Sequence, residues 1–200
     1  QAANPLPPKE DNYMWNLPNI LTLLRIGLIP VFIAIYYTSW EWHNLIAAAV
    51  FGLAAATDWV DGYMARKYDQ VTPFGAFLDP VADKLIVVAA MVMLLEVHSS
   101  PLFSIASIII IGREIVISAL REWMAEMGYS GTVAVAMIGK VKTWVQMVAI
   151  AVLLAAKPEN ELLTNLGFIA IYIAAALTLW SMVHYLRAAW PQLSGSTPSK

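Results

Sequence analysis

Apolar residues fall into six long stretches along this chain, at 17–38, 44–66, 73–97, 101–127, 132–156 and 162–188, with short polar joints between them. Each stretch reaches or exceeds the roughly 20 residues that a helix needs to cross a hydrocarbon layer about 30 Å thick. The joints carry turn and breaker residues: Ser39 to His43, Arg66 to Thr72, His98-Ser99-Ser100-Pro101, Gly128 to Gly131, and Lys157 to Glu161. Asn16 ahead of Leu17-Pro18 and Thr72 ahead of Pro73 each supply a helix start, with a side-chain oxygen at the cap and a proline in the first turn. The pattern predicts an all-α integral membrane protein, a bundle of six transmembrane helices.

Composition agrees and narrows the class. Of 200 residues, 60% are hydrophobic and only 13% charged, where a soluble domain carries about a quarter of its residues as charges. Residues 13–190 make one six-helix domain, with Tyr13 and Trp15 as interfacial anchors before the first span. The Pro-rich residues 1–12 read as a disordered tail or an expression remnant, and 191–200 as a second tail. No cleavable signal pattern precedes the first span. Cysteine is absent, which excludes disulfide and thiolate chemistry, and no basic patch suggests nucleic acid. The joints after the second and fourth spans, with the termini, hold Lys9, Arg66, Lys67, Arg187 and Lys200, whereas the other joints hold only Lys157. That asymmetry places both termini and the 66–72 turn in the cytoplasm, Trp40 and Trp42 at the opposite interface and Trp190 at the cytoplasmic one.

Four carboxylates interrupt the apolar pattern. Asp58 and Asp61 end the second span, and Asp79 and Asp83 lie in the first half of the third. An ionised Asp at mid-bilayer costs roughly 2.5–3.5 kcal/mol, so intramembrane carboxylates mark function. Spacings of i, i+3 and i, i+4 put each pair on one helix face, beside the small residues Gly62, Ala65 and Gly75. An antiparallel hairpin of the two helices would gather all four. A cluster of formal charge −4 calls for hard divalent cations, and two Mg²⁺ or Mn²⁺ ions about 3.5–4 Å apart suit phosphoryl displacement. A divalent-cation transporter would also use intramembrane carboxylates, but the far halves of these spans are apolar. Pro80, inside the third span, removes one backbone donor beside the carboxylates.

Cations complete the set. Arg25 closes the run Asn19-x-x-Thr22-x-x-Arg25 in the first span, Arg113 and Arg121 lie i, i+8 apart in the fourth, and Lys140 and Lys142 open the fifth. Arg113 and Arg121 could clamp an anion, or they could pair with Glu114 and Glu122 or snorkel to the interface. His43, His98 and His184 lack companions at metal-ligand spacing and read as structural, as do the nine Met and the Phe and Tyr residues.

The pattern D-x-x-D-G-x-x-A-R-x8-G-x3-D-x3-D, met by Asp58, Asp61, Gly62, Ala65, Arg66, Gly75, Asp79 and Asp83, resembles the signature of the CDP-alcohol phosphotransferases. The segments 16–30, 112–126 and 139–146 extend the similarity, over about residues 13–190, towards the bacterial phosphatidylglycerophosphate synthases. The resemblance implies a cytoplasm-facing active-site cavity in a bacterial inner membrane, where a phosphatidyl group passes from CDP-diacylglycerol to glycerol 3-phosphate. It implies metal binding by Asp58, Asp61, Asp79 and Asp83, with Asp83 also the general base. CDP-diacylglycerol would be held by Asp58, Gly62, Ala65, Arg66 and Gly75. The acceptor phosphate would be held by Arg113, Arg121, Lys140 and Lys142, with Arg25 and Thr22. Serine, an inositol phosphate or phosphatidylglycerol remain as alternative acceptors, and the oligomeric state stays open between a monomer and a homodimer among membrane lipids.

Overall fold

The computed structural model describes residues 16–67, 72–127, 137–157 and 159–193. Six helices account for nearly all of them: α1 Leu17–Tyr36, α2 His43–Lys67, α3 Pro73–Val97, α4 Pro101–Glu126, α5 Met137–Ala155 and α6 Glu161–Leu193. Capping fixes several of their starts. Asn16, Thr72 and Ser100 accept hydrogen bonds from the backbone amides of Asn19, Gly75 and Phe103, each with a proline in the first turn. Asn160 does the same for Leu163 ahead of α6, at 3.1 Å. The helix bounds match the apolar stretches to within one or two residues, with two exceptions. The expected start of α5 at 132 lies outside the described residues, and α6 continues past the expected limit of 188 to Leu193. α3 continues through Pro80, whose carbonyl oxygen accepts a hydrogen bond from Lys84 Nζ at 3.1 Å.

Among the described residues, three segments are long and apolar enough to cross a membrane: Asn19–Tyr36, Pro101–Glu126 and Glu161–Arg187. The segments His43–Thr57 of α2 and Thr143–Ala155 of α5 are apolar but shorter, and α3 carries Asp79, Asp83 and Lys84 in its first half. Outward faces are apolar on every helix, with Leu24, Leu53, Val92, Ile108, Val148 and Ile173 all exposed. A soluble surface would not carry so continuous an apolar area, so the chain is a membrane protein.

Helix neighbours define a ring. α1 packs on α2 and α3, α2 on α5, α5 on α6, α6 on α4, and α4 closes the circuit on α3, while α3 also reaches α5 across the middle. The hairpin expected from the sequence takes a different form. α2 and α3 are consecutive but meet only sparsely, because α1 lies against both. The interior is layered. Phe32, Phe51, Ile86, Met91, Leu94, Phe103, Ile110, Ile150, Leu153 and Leu154 fill the half next to the α1–α2, α3–α4 and α5–α6 joints. At the far end His98 meets the rings of Phe103 and Phe168 edge-on, and burial pushes its imidazole below the ordinary value. The buried residues of the other half include Asn19, Thr22, Arg25, Arg113, Thr178 and Ser181.

Candidate active site

Polar chemistry begins at one depth on several helices. At 1.5 Å per residue, Arg25, Asp58, Asp83 and Arg113 all lie about 17–22 Å along their helices from the apolar end. The ring therefore surrounds a charged half-interior resting on a packed apolar floor.

The best-defined part is the seam between α1 and α3. Asn19, Thr22 and Arg25, three residues apart, are buried on α1 and meet Thr72, Gly75, Asp79 and Asp83 on α3. The Asn19 amide donates to Thr72 Oγ1 at 3.0 Å, and the Thr72 hydroxyl donates back to Asn19 Oδ1 at 3.1 Å. Thr72 Oγ1 also accepts from the Gly75 amide at 3.0 Å. Gly75 allows this approach: a Cβ there would stand 2.5 Å from Asn19 Oδ1 and 3.2 Å from Thr72 Oγ1. Escape of the Asn19 side chain would break both bonds to Thr72, each worth about 1 kcal/mol. The space beside Gly75, expected to serve a nucleotide, is thus occupied on one side by α1.

One turn deeper, the Thr22 hydroxyl donates to Asp79 Oδ1. A further turn down, the Arg25 guanidinium forms an ion pair with Asp83 Oδ1. The arginine side chain is 1% exposed and that of Asp83 42%. Arg25 and Thr22, expected at an acceptor phosphate, are therefore placed on the carboxylate pair, and among the described residues α1 does not touch α4. Two carboxylates anchored by donors from a neighbouring helix, one of them partly open, are hard oxygen ligands with oriented support, which suits a divalent cation. Asp79 and Asp83 do not form a closed metal site by themselves, since no group of three or more candidate ligands gathers among the described residues. The side chains of Asp58, Asp61, Gly62, Ala65, Arg66, Lys140 and Lys142 lie outside the described residues. The backbone of α2 carries Asp58 and Asp61 one turn apart, at the depth where the apolar floor ends.

Across the ring, α4 presents its arginines to α6. Arg113 is 7% exposed, and its Nη1 donates to Glu114 Oε1 at 3.0 Å. Its guanidinium carbon lies 5.9 Å from the centroid of the Tyr185 ring, and that of Arg121 lies 5.6 Å from the same ring. Arg121 Nη2 also donates a long bond, 3.4 Å, to the Tyr185 hydroxyl. The structure places Arg113 and Arg121 against one aromatic residue, Tyr185, which the sequence reads as packing. Tyr185 belongs to a buried stripe on α6 with Thr178 and Ser181, at i, i+3, i+7. That polar periodicity inside an apolar helix was the signal available for it.

Comparison with known proteins follows this geometry. The family model described as CDP-alcohol phosphatidyltransferase matches residues 15–180. A protein of Pseudomonas fluorescens named CDP-diacylglycerol–glycerol-3-phosphate 3-phosphatidyltransferase is 50% identical over 184 residues, covering 89% of this chain and 92% of its own. Proteins of the same name from Pectobacterium atrosepticum and Yersinia pestis are 50% and 48% identical. These two alignments cover 88% and 89% of this chain, and 95% and 97% of the relatives.

Proposed function

The chain belongs to the CDP-alcohol phosphatidyltransferase family, and from that premise we infer that it transfers the phosphatidyl group of CDP-diacylglycerol to sn-glycerol 3-phosphate, giving phosphatidylglycerol phosphate and CMP. The observation that carries this reading within the fold is the pair Asp79 and Asp83, fixed by Thr22 and Arg25 on a neighbouring helix. Together with Asp58 and Asp61 they would hold two Mg²⁺ or Mn²⁺ ions. Such ions, when bound, clamp a diphosphate and offset the charge that develops on departing CMP.

The chain's own residues divide the remaining work. Asp83 takes the proton of the acceptor hydroxyl as that oxygen bonds to the phosphatidyl phosphorus and the phosphorus–oxygen bond to CMP breaks. Arg25 keeps the Asp83 carboxylate oriented. Gly62 and Ala65 leave room for the cytidine nucleotide and Arg66 supplies a charge to it. Arg113 and Arg121, with Lys140 and Lys142, hold the acceptor phosphate, which favours an anionic acceptor over serine. All six helices span the bacterial inner membrane, and the cavity opens to the cytoplasm.

Purified protein supplied with labelled CDP-diacylglycerol and a panel of glycerol 3-phosphate, serine, inositol phosphate and phosphatidylglycerol tests the reaction. The expected product is phosphatidylglycerol phosphate, and its formation stops with EDTA. A product from another acceptor, with none from glycerol 3-phosphate, replaces this reading. Orientation has its own test, because the chain lacks cysteine. With single cysteines at Gln70 and Ser99, an impermeant thiol reagent on intact cells should label position 99 alone. Labelling at position 70 reverses the topology.

A further inference from the structure

The geometry points to Tyr185 as a positioning residue that holds Arg113 and Arg121 together as one anion-recognising pair, and so sets the preference for a phosphomonoester acceptor. This role rests on the phosphatidyltransferase reading above. Eight residues separate the two arginines, about 12 Å along α4, and one ring serves both: each guanidinium carbon lies within 6 Å of the Tyr185 centroid. Arg113 is buried and Arg121 exposed, and like charges flanking one ring repel, less than they would if both were buried. The acid that pairs with them is Glu114, on Arg113, and among the described residues Arg121 has no ion-pair partner. The cluster therefore carries excess positive charge. Among the described residues, Nε of Arg113 is buried without a hydrogen-bond partner, although buried donors are normally satisfied. An arriving phosphate supplies both the missing charge and the missing acceptor.

Tyr185 resolves the repulsion while the site is empty. Its ring face attracts cations, and the side chain, 7% exposed in the α6 stripe, is held by packing. The two guanidiniums are thus placed before the ligand binds, which reduces the ordering cost at binding. The hydroxyl contributes less than the ring, because its bond from Arg121 is long at 3.4 Å.

The test compares Tyr185→Leu and Tyr185→Phe in the full chain, with glycerol 3-phosphate and CDP-diacylglycerol each varied in turn and thermal stability measured on the same preparations. Tyr185→Leu is expected to raise KM for glycerol 3-phosphate about ten-fold, with kcat and KM for CDP-diacylglycerol within about two-fold of wild type. Tyr185→Phe keeps the ring and brings KM back to within about three-fold. If the leucine variant does not fold, Tyr185→Met, which keeps bulk without a π face, is read in the same way. Unchanged KM for glycerol 3-phosphate overturns the role. So does a fall in kcat and in affinity for both substrates together with lower stability, which would make Tyr185 a packing residue. A wild-type protein that uses another acceptor sinks the acceptor reading itself, whereas a wild type active on glycerol 3-phosphate with unaffected Leu and Met variants sinks only Tyr185.

Discussion

Asp79→Asn lowers turnover at saturating Mg²⁺ by about a thousand-fold while leaving thermal stability near that of the wild type. The carboxamide keeps an oxygen that accepts the Thr22 hydroxyl hydrogen bond seen on Asp79, so the α1–α3 seam loses no donor–acceptor pair. It loses a negative charge. An oxygen ligand without that charge binds a hard cation weakly, and stabilisation of departing charge by metal amounts to several kcal/mol, of which about 4 corresponds to a thousand-fold in rate. Turnover and melting temperature, measured on one preparation across a Mg²⁺ titration, check both halves. Near-wild-type turnover at saturating Mg²⁺ would count against a metal role for this carboxylate.

Asp83→Asn and Arg25→Gln behave differently, because each removes one charge of an ion pair. Arg25 is 1% exposed and pairs with a carboxylate whose side chain is 42% exposed. Breaking a fully buried pair costs roughly 3–5 kcal/mol, and the partial hydration of Asp83 brings the expected loss for Arg25→Gln nearer to about 2 kcal/mol. Asp83→Asn costs at least as much, since Arg25 then loses the charge of Asp83 at a place with almost no access to water. Both single variants also lose activity, Asp83→Asn by about 10²–10⁴-fold if it removes the base. The double variant Arg25→Gln/Asp83→Asn should recover most of the stability and none of the activity. Such non-additivity is the mark of direct coupling. Additive melting-temperature losses would mean that the two residues stabilise the fold independently.

Much of this architecture can be read from the sequence because a membrane constrains it so strongly. Crossing hydrocarbon demands about 20 apolar residues and internally satisfied backbone, so α1 and α4 could be placed almost to the residue, helped by the Asn16 and Ser100 caps, while the Thr72 cap and Pro73 marked the start of α3. Asp79 and Asp83 stood out because charge is costly there. The partners of those carboxylates were less accessible. Asn19, Thr22 and Arg25 form a visible polar stripe, but nothing in the spacing of one helix says which neighbour the stripe meets. That depends on the order of helices around the ring, and the wedging of α1 against both α2 and α3 is a property of the whole bundle. Tyr185 escaped for another reason. An aromatic residue in an apolar helix is ordinarily packing, and its place in a polar stripe with Thr178 and Ser181 does not say that two cations of α4 meet it.

The pairing of Arg25 with Asp83 also bears on how the protein enters the bilayer. In the proposed six-span topology α1 is delivered before α3, because synthesis proceeds from the N-terminus, so Arg25 precedes the carboxylate of Asp83. A lone carboxylate carried to mid-bilayer opposes partition of a segment by roughly 2.5–3.5 kcal/mol. A counter-ion waiting on an earlier helix offsets part of that opposition, and the Thr22 hydroxyl does the same for Asp79. In that topology the first helix serves as an insertion partner for the third, before the cations of α4 and α5 have left the ribosome.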